Sequence, residues 1–325
     1  MKLIRVLLIA AVIYFLGLGA FLLTQPDDKI IINIPTGTSA AGIADILKTN
    51  GIISSSRLFL IISHITGSSD RLQSGIYRFS KRMTIPSALY LIKKGECYKL
   101  KITIPEGYTT EQIAELLEIN KIADKKQFVN YVAKNKLSGY LFPETYFFIP
   151  GTNMETVIKT LAGQFIKKIN KNVISILPGL GLNEIKKIRV TKKMNLNDII
   201  ILASIVEKDA KTDSERKLIA AVFLNRLNKG WYLESCATVR YALKKYKGPL
   251  TYKDLKIYSP YNTYKARGLP PEPICNPGLK SIQSVINPDS SDAMFFFVIN
   301  ADSGTHKFSR YYKDHLGGQK SARTK

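Results

Sequence analysis

A repeat at an offset of 70 residues sets the first constraint on how this 325-residue chain folds. Residues 32–53 read INIPTGTSAAGIADILKTNGII and residues 102–122 read ITIPEGYTTEQIAELLEINKI, so that Ile32, Ile34, Pro35, Gly37, Ile43, Ala44, Leu47 and Ile52 recur as Ile102, Ile104, Pro105, Gly107, Ile113, Ala114, Leu117 and Ile122. In each copy apolar residues alternate into a Pro-x-Gly turn, the period of a half-buried strand. Apolar residues then recur at i, i+1 and i+4, the spacing of one helix face. Ser39 in the first copy, and Thr109 or Thr110 followed by Glu111 in the second, mark the helix starts. Two copies are too few for a solenoid, so the pattern predicts a pair of small strand–turn–helix modules.

Between the copies the sequence predicts a helix over Arg57 to Ser63, a strand over Gly75 to Phe79, and a helix over Ile85 to Lys93 stopped by Gly95. These elements outline a first small α+β domain over residues 29–98. From about residue 125 helical periodicity dominates, at 126–135, 153–173, 183–188, 197–210 and 213–229. Loop-rich sequence follows, then a strand from Met294 to Asn300, a turn at Asp302-Ser303-Gly304, a strand around His306 to Tyr311, and a basic tail expected to fray after Gly317. The expected fold class is α+β, with small α/β modules ahead of a mixed, largely helical domain over residues 99–325 that ends in a β-hairpin.

Ahead of the repeat, Val6 to Leu23 is a run of 18 residues without a charge, at the lower limit for a helix that spans a bilayer. Lys2 and Arg5 precede it and Asp27 and Asp28 follow. The positive-inside rule then predicts a cytoplasmic N-terminus and a transmembrane anchor over residues 1–28, with the globular part outside the cytoplasmic membrane. A cleaved signal peptide is the alternative, but Phe21 to Pro26 lacks a small-x-small site. The chain carries a formal charge of +23. For an exported protein this points to acidic envelope polymers or anionic head groups and away from nucleic acid, although a lysine-biased genome produces the same charge with no partner at all. Three cysteines (Cys97, Cys236, Cys275) and three scattered histidines make neither a disulfide framework nor a metal site. A Cys236–Cys275 bridge would leave one thiol free, and no metal or other cofactor is expected.

The segment Asn197 to Ala210 (NDIIILASIVEKDA) carries the strongest chemical signal. Ile199 through Val206 is apolar all round the helix apart from Ser204, the pattern of a helix buried on every side. Glu207 follows near the C-terminal end, where burial and the negative end of the helix dipole both favour a protonated carboxyl. A neutral carboxylic acid is what protonation of a leaving oxygen needs. The plainer reading is an ion pair with Lys211 one turn on. Downstream, Thr212-Asp213-Ser214-Glu215 reads as a capping box. Asn225 falls inside the apolar stripe of the next helix, as a core hydrogen-bonder or a ligand contact. Two loops cluster polar and aromatic residues: Ser138 to Phe148 around Glu144, and Ser259 to Gly278 with Tyr261, Asn262, Thr263 and Tyr264 ahead of four prolines. Tyrosines interleaved with Asn and Thr suit sugars, and they equally suit a packed connecting loop.

LFPETY at 141–146, ILASIVEKDA at 201–210, VFLNRL at 222–227, LESCATVRYAL at 233–243, SPYNTYKARGLPPEPICNPGL at 259–279 and GTHKFS at 304–309 closely resemble the YceG-like endolytic murein transglycosylases. The resemblance runs from about residue 30 to 315 and keeps motif order. It implies a LysM-like module over 29–98, a catalytic domain over 99–325, and Glu207 as catalytic acid/base. Glu144, Asn225, Tyr261, Asn262, Thr263 and Tyr264 are then candidates to hold the glycan. Where relatives carry L-Q-x-D-P-T-V this chain has Leu233 to Val239 with Cys236 in place of the Asp, so no catalytic role rests on a carboxylate there. The implied activity is cleavage of MurNAc–GlcNAc bonds in nascent peptidoglycan strands to leave 1,6-anhydroMurNAc ends. The implied partners are glycan strands, the membrane through one helix, and cell-wall synthesis proteins. A hydrolytic muramidase with Glu144 or Glu234 as second carboxylate, and a non-catalytic wall-binding tether, are the rival readings.

Overall fold

Each copy of the repeat folds as a strand, a turn and a helix. The computed structural model describes residues 28–81, 83–173, 181–300 and 303–323, and the chain divides into two compact units, Met1–Lys99 and Leu100–Lys325.

In the first unit β1 (Lys29–Ile34) leads through α1 (Ala40–Thr49) and α2 (Ser56–Ile65) to β2 (Gly75–Ser80), and α3 (Ile85–Lys94) closes it. The strands pair antiparallel from Lys29 opposite Ser80 to Ile34 opposite Gly75. This register sends Ile32, Ile34, Tyr77 and Phe79 to one face, where they pack with Ile43, Leu47, Phe59, Leu89 and Ile92. Each such side chain contributes about 1.5–3 kcal/mol by leaving water. Ser39 and Ser55 cap α1 and α2 by accepting the Gly42 and Leu58 amides.

In the second unit β3 (Leu100–Thr103) pairs antiparallel with β4 (Thr145–Phe148). Next to β3 lie α4 (Thr110–Ile119), started by a full capping box of Thr109 with Gln112, and α5 (Lys125–Lys134). The helix α6 (Met154–Asn172) joins two cores. Val157, Ile158 and Leu161 pack with β3, β4 and α4, while Phe165 and Ile169, one and two turns on, pack with α8 (Leu196–Asp209). The short α7 (Leu182–Ile185) precedes α8, and α9 (Arg216–Asn228), α10 (Cys236–Leu243) and α11 (Leu279–Ile286) surround it. The chain ends in a hairpin of β5 (Phe295–Asn300) and β6 (Thr305–Ser309), then α12 (Tyr312–Arg323).

Several expectations are corrected. The single-pass placement in the cytoplasmic membrane is not carried by the structure: among the described residues no helix is long and apolar enough to cross a membrane. The run Val6 to Leu23 on which it rested lies outside the described residues, as does Asp302 of the hairpin turn. The stretch after Gly230 holds two helices, α10 and α11, and the aromatic loop at 138–148 supplies β4. The tail forms α12 despite Gly317 and Gly318, because Tyr312 and His315 pack on Phe295 with ring centroids 5.5 and 5.4 Å apart. Thr212 makes no side-chain cap. All three cysteines are free thiols.

Candidate active site

Three segments distant in sequence meet at the C-terminal end of α8. The helix is fixed at its start by a reciprocal capping box of Asn195 with Asp198, and every residue from Ile199 to Val206 is buried. Its one polar core residue, Ser204, sews it to the proline-rich loop: the Oγ accepts the Ile274 amide at 3.0 Å, and the Cys275 thiol donates to the Ser204 carbonyl at 3.2 Å. The next residue, Asn276, ties that loop to the turn of the second repeat copy. Its amide side chain donates to the Tyr108 carbonyl and accepts the Leu141 amide, both at 2.9 Å, and its carbonyl accepts the Gly107 amide at 2.9 Å. Glu207 and the Pro105-Glu106-Gly107 turn are thereby held together by backbone geometry.

The Glu207 side chain is 6% exposed. It accepts from Arg216 Nη1 at 3.2 Å through one oxygen, and from Ser281 Oγ at 2.7 Å and the Gly278 amide at 3.0 Å through the other. The last two donors sit at the start of α11, where unpaired amides carry the positive end of the helix dipole. Arg216 also donates to Asp213 at 2.9 Å and to Ser281 at 2.6 Å. Glu207 therefore pairs with Arg216 and not with Lys211, and Asp213 orients that arginine where a helix cap was expected. Glu106 completes the cluster: its carboxyl occupies the space that a side chain on Gly278 would need. Partial burial and the nearby Glu207 charge push the Glu106 carboxyl above its ordinary range, against the pull of Arg216 and Lys280. Two residues beyond Glu207, Asp209 accepts from Ser235 Oγ at 2.7 Å, and desolvation pushes its carboxyl up to about 6. Among the described residues no group of three or more His, Cys, Asp or Glu side chains is arranged to hold a metal ion.

The other expected site residues divide sharply. Asn262 is fully buried and its amide serves the loop itself, donating to the Leu255 and Ile257 carbonyls and accepting the Tyr264 amide. Thr263, also buried, bonds Thr238 Oγ1 at 2.8 Å and the Ser235 amide. The Tyr264 hydroxyl meets the Cys236 thiol at 3.2 Å. Tyr261 is only half-buried, with its ring 5.0 Å from that of Tyr241. Glu144 turns to α6, bonding Lys168 at 3.1 Å and Gln164; burial pushes it up, but these two bonds outweigh it and hold the carboxyl below its usual range. Asn225 donates to the Ser291 and Ala293 carbonyls, beside a separate cavity of about 570 Å³. Sequence reasoning missed Arg216, Ser281, Gly278 and Glu106. Only Glu106 left a trace, as the carboxylate that the second repeat copy has where the first has Thr36.

Comparison with known proteins bears on this cluster. The model of the YceG-like family matches residues 32–321, which takes in the turn, the buried helix and the proline-rich loop. The chain belongs to the YceG-like family. A Bacillus subtilis (strain 168) relative named endolytic murein transglycosylase is 35% identical, with 91% of this chain and 88% of that protein covered. A Streptococcus pneumoniae (strain R6) protein of the same name is 29% identical over 88% of this chain, which spans 57% of its length. A crystal structure of a YceG-like protein from Listeria monocytogenes, 31% identical, superposes with a TM-score of 0.57 over 90% of this chain and 99% of that one. The YceG-like membership and the α+β class with small antiparallel sheets agree with the sequence reading.

Proposed function

We propose that this YceG-like protein is an endolytic peptidoglycan lytic transglycosylase with Glu207 as its acid and base. The observation that carries the reading is a nearly buried glutamate, held by Arg216, Ser281 and the Gly278 amide, in a chain whose relatives bear the name endolytic murein transglycosylase. Glu207 protonates the glycosidic oxygen between MurNAc and GlcNAc as the anomeric carbon gains oxocarbenium character. The carboxylate left behind is stabilised by Arg216 and by the two donors at the start of α11. It then takes the proton of the sugar's own C6 hydroxyl, whose oxygen closes onto C1. The products are a 1,6-anhydroMurNAc end and a free GlcNAc 4-hydroxyl; no water is consumed and Glu207 regains its proton.

The β-α-α-β order of residues 29–80 supports reading the first unit as a LysM-like module that adds affinity for the strand. Of the polar-aromatic loop, the half-exposed Tyr261 remains a candidate to stack on a sugar. Hydrolysis is the second reading, favoured by one observation: two carboxyls, Glu106 and Glu207, flank Gly278, and hydrolytic glycosidases use two. Digestion of purified wall glycan by Glu207→Gln tests the assignment of the acid. The amide keeps the shape and cannot cycle a proton, so the rate should fall at least ~10²-fold with the fold intact. A folded variant with near wild-type activity would remove Glu207 from the reaction.

A further inference from the structure

The two copies of the repeat make the same turn with different residues at its tip, Thr36 in the first and Glu106 in the second. The Thr38 amide closes the first turn on the Pro35 carbonyl at 3.3 Å, and the Tyr108 amide closes the second on Pro105 at 3.4 Å. Gly37 and Gly107 take φ of +83° and +76°, the left-handed region that glycine enters without strain. The turn therefore forms on Thr as well as on Glu, and the carboxyl is not needed to fold it. Nor does the carboxyl bond within the protein. Glu106 is open to solvent, and among the described residues only burial and neighbouring charges act on its carboxyl, with no hydrogen bond or ion pair. The nearby cations are engaged elsewhere, Arg216 with Glu207 and Asp213, and Lys280 with Asp213. Yet the carboxyl lies against Gly278, in the space that a side chain there would need, and the Gly278 amide donates to Glu207 at 3.0 Å. A carboxyl set beside a second carboxyl, without a donor of its own, costs the fold stability. Such a cost is characteristic of functional sites, where stability and activity trade against each other.

We propose that Glu106 is a substrate-binding residue: its carboxylate accepts a hydrogen bond from the sugars that flank the cut bond and so fixes the strand against Glu207. This rests on the reading of the Glu207 cluster as the glycan site. A carboxylate only accepts, so the group it holds is an N–H or O–H donor. The bridge oxygen joins C1 of MurNAc to C4 of GlcNAc. Two donors sit on the carbons next to these, the acetamido N–H on C2 of MurNAc and the hydroxyl on C3 of GlcNAc. The 3-oxygen of MurNAc is an ether and donates nothing.

The test is the affinity of the full chain for purified glycan strands, read as Kd in a Glu207→Gln background and as KM where Glu207 is retained, together with thermal melts. Glu106→Ala should raise Kd and KM by about tenfold or more, the loss of a hydrogen bond to a charged acceptor. Glu106→Gln keeps an acceptor oxygen and should lose less. Glu106→Thr installs the residue that the first copy uses in the same turn, which keeps the experiment available should the Ala variant fold poorly. None of the three should melt below the parent protein, because the carboxyl makes no bond within it. Strands stripped of their acetyl groups separate the two donors. If Glu106 holds the acetamido N–H, the loss on Glu106→Ala grows, because the exposed ammonium pairs with a carboxylate more strongly. If it holds the hydroxyl, the loss is the same on both strands. Unchanged Kd and KM in a folded Glu106→Ala or Glu106→Thr overturn the proposal, and so does a fall in melting temperature that accompanies the loss of affinity. Cleavage by Glu207→Gln reports on the acid separately: an active Glu207→Gln refutes that reading, and the KM values still test Glu106.

Discussion

Asp209→Asn should stabilise the second unit at neutral pH and leave it unchanged in acid. Desolvation raises the Asp209 carboxyl from 3.8 to about 6, only partly offset by the Ser235 hydrogen bond and the charges of His306 and Lys211. A raised carboxyl binds its proton more tightly in the folded state than in the unfolded one. The folded protein is therefore penalised wherever that proton is absent: not at all below about pH 4, increasingly from pH 4 to 6, and fully above pH 6. A difference of about two pH units corresponds to about 3 kcal/mol. Asp209 is partly open to solvent, and screening by water makes that an upper bound, so ~1–3 kcal/mol is expected. Asn retains an oxygen for the Ser235 hydroxyl and carries no charge. For a unit of this size each kcal/mol moves the melting temperature by about 2–4 °C. Thermal melts of wild type and Asp209→Asn at pH 4, 6 and 8 should show a gain that is absent at pH 4 and largest at pH 8. A gain of equal size at every pH, or one largest in acid, would refute the desolvation argument.

Other substitutions separate scaffold from chemistry. Asn262→Ala should lower stability by ~2–3 kcal/mol, because it strands the Leu255 and Ile257 carbonyls, while leaving KM for glycan within about twofold; a large KM rise in a fully stable variant would make Asn262 a substrate contact. Glu215→Ala removes the acceptor of both the His306 ring, at 2.8 Å, and the His306 amide, at 2.9 Å. Urea denaturation should show a loss of ~2–4 kcal/mol, and no loss would mean that this pair does not hold the hairpin to the body.

Where local rules coincide with tertiary demands, the elements were legible. The paired strand–turn–helix units declare themselves through alternation, the Pro-x-Gly turn and the caps at Ser39 and Thr109. Glu207 stands out because an unbroken run of buried residues, Ile199 to Val206, precedes it on one helix. Its partners are invisible for a physical reason. Arg216, Ser281 and Glu106 lie 9, 74 and 101 positions away in sequence, and no periodicity encodes their convergence. Asn262 and Thr263 misled in the opposite direction. A long loop must satisfy its own buried backbone, so polar side chains that resemble ligand contacts are consumed in holding it. The helices α10 and α11 are only eight residues each, too short for pattern to prevail over the Gly and Pro around them.

The most direct test of the account is mass spectrometry of glycan strands digested in oxygen-18-labelled water. Ring closure by the C6 hydroxyl predicts ends lighter by one water than hydrolysed ends, with no label at the cleaved anomeric carbon, in wild type and none of either product in Glu207→Gln. Label at that carbon would contradict the transglycosylase reading and make Glu106 and Glu207 the two carboxyls of a hydrolase.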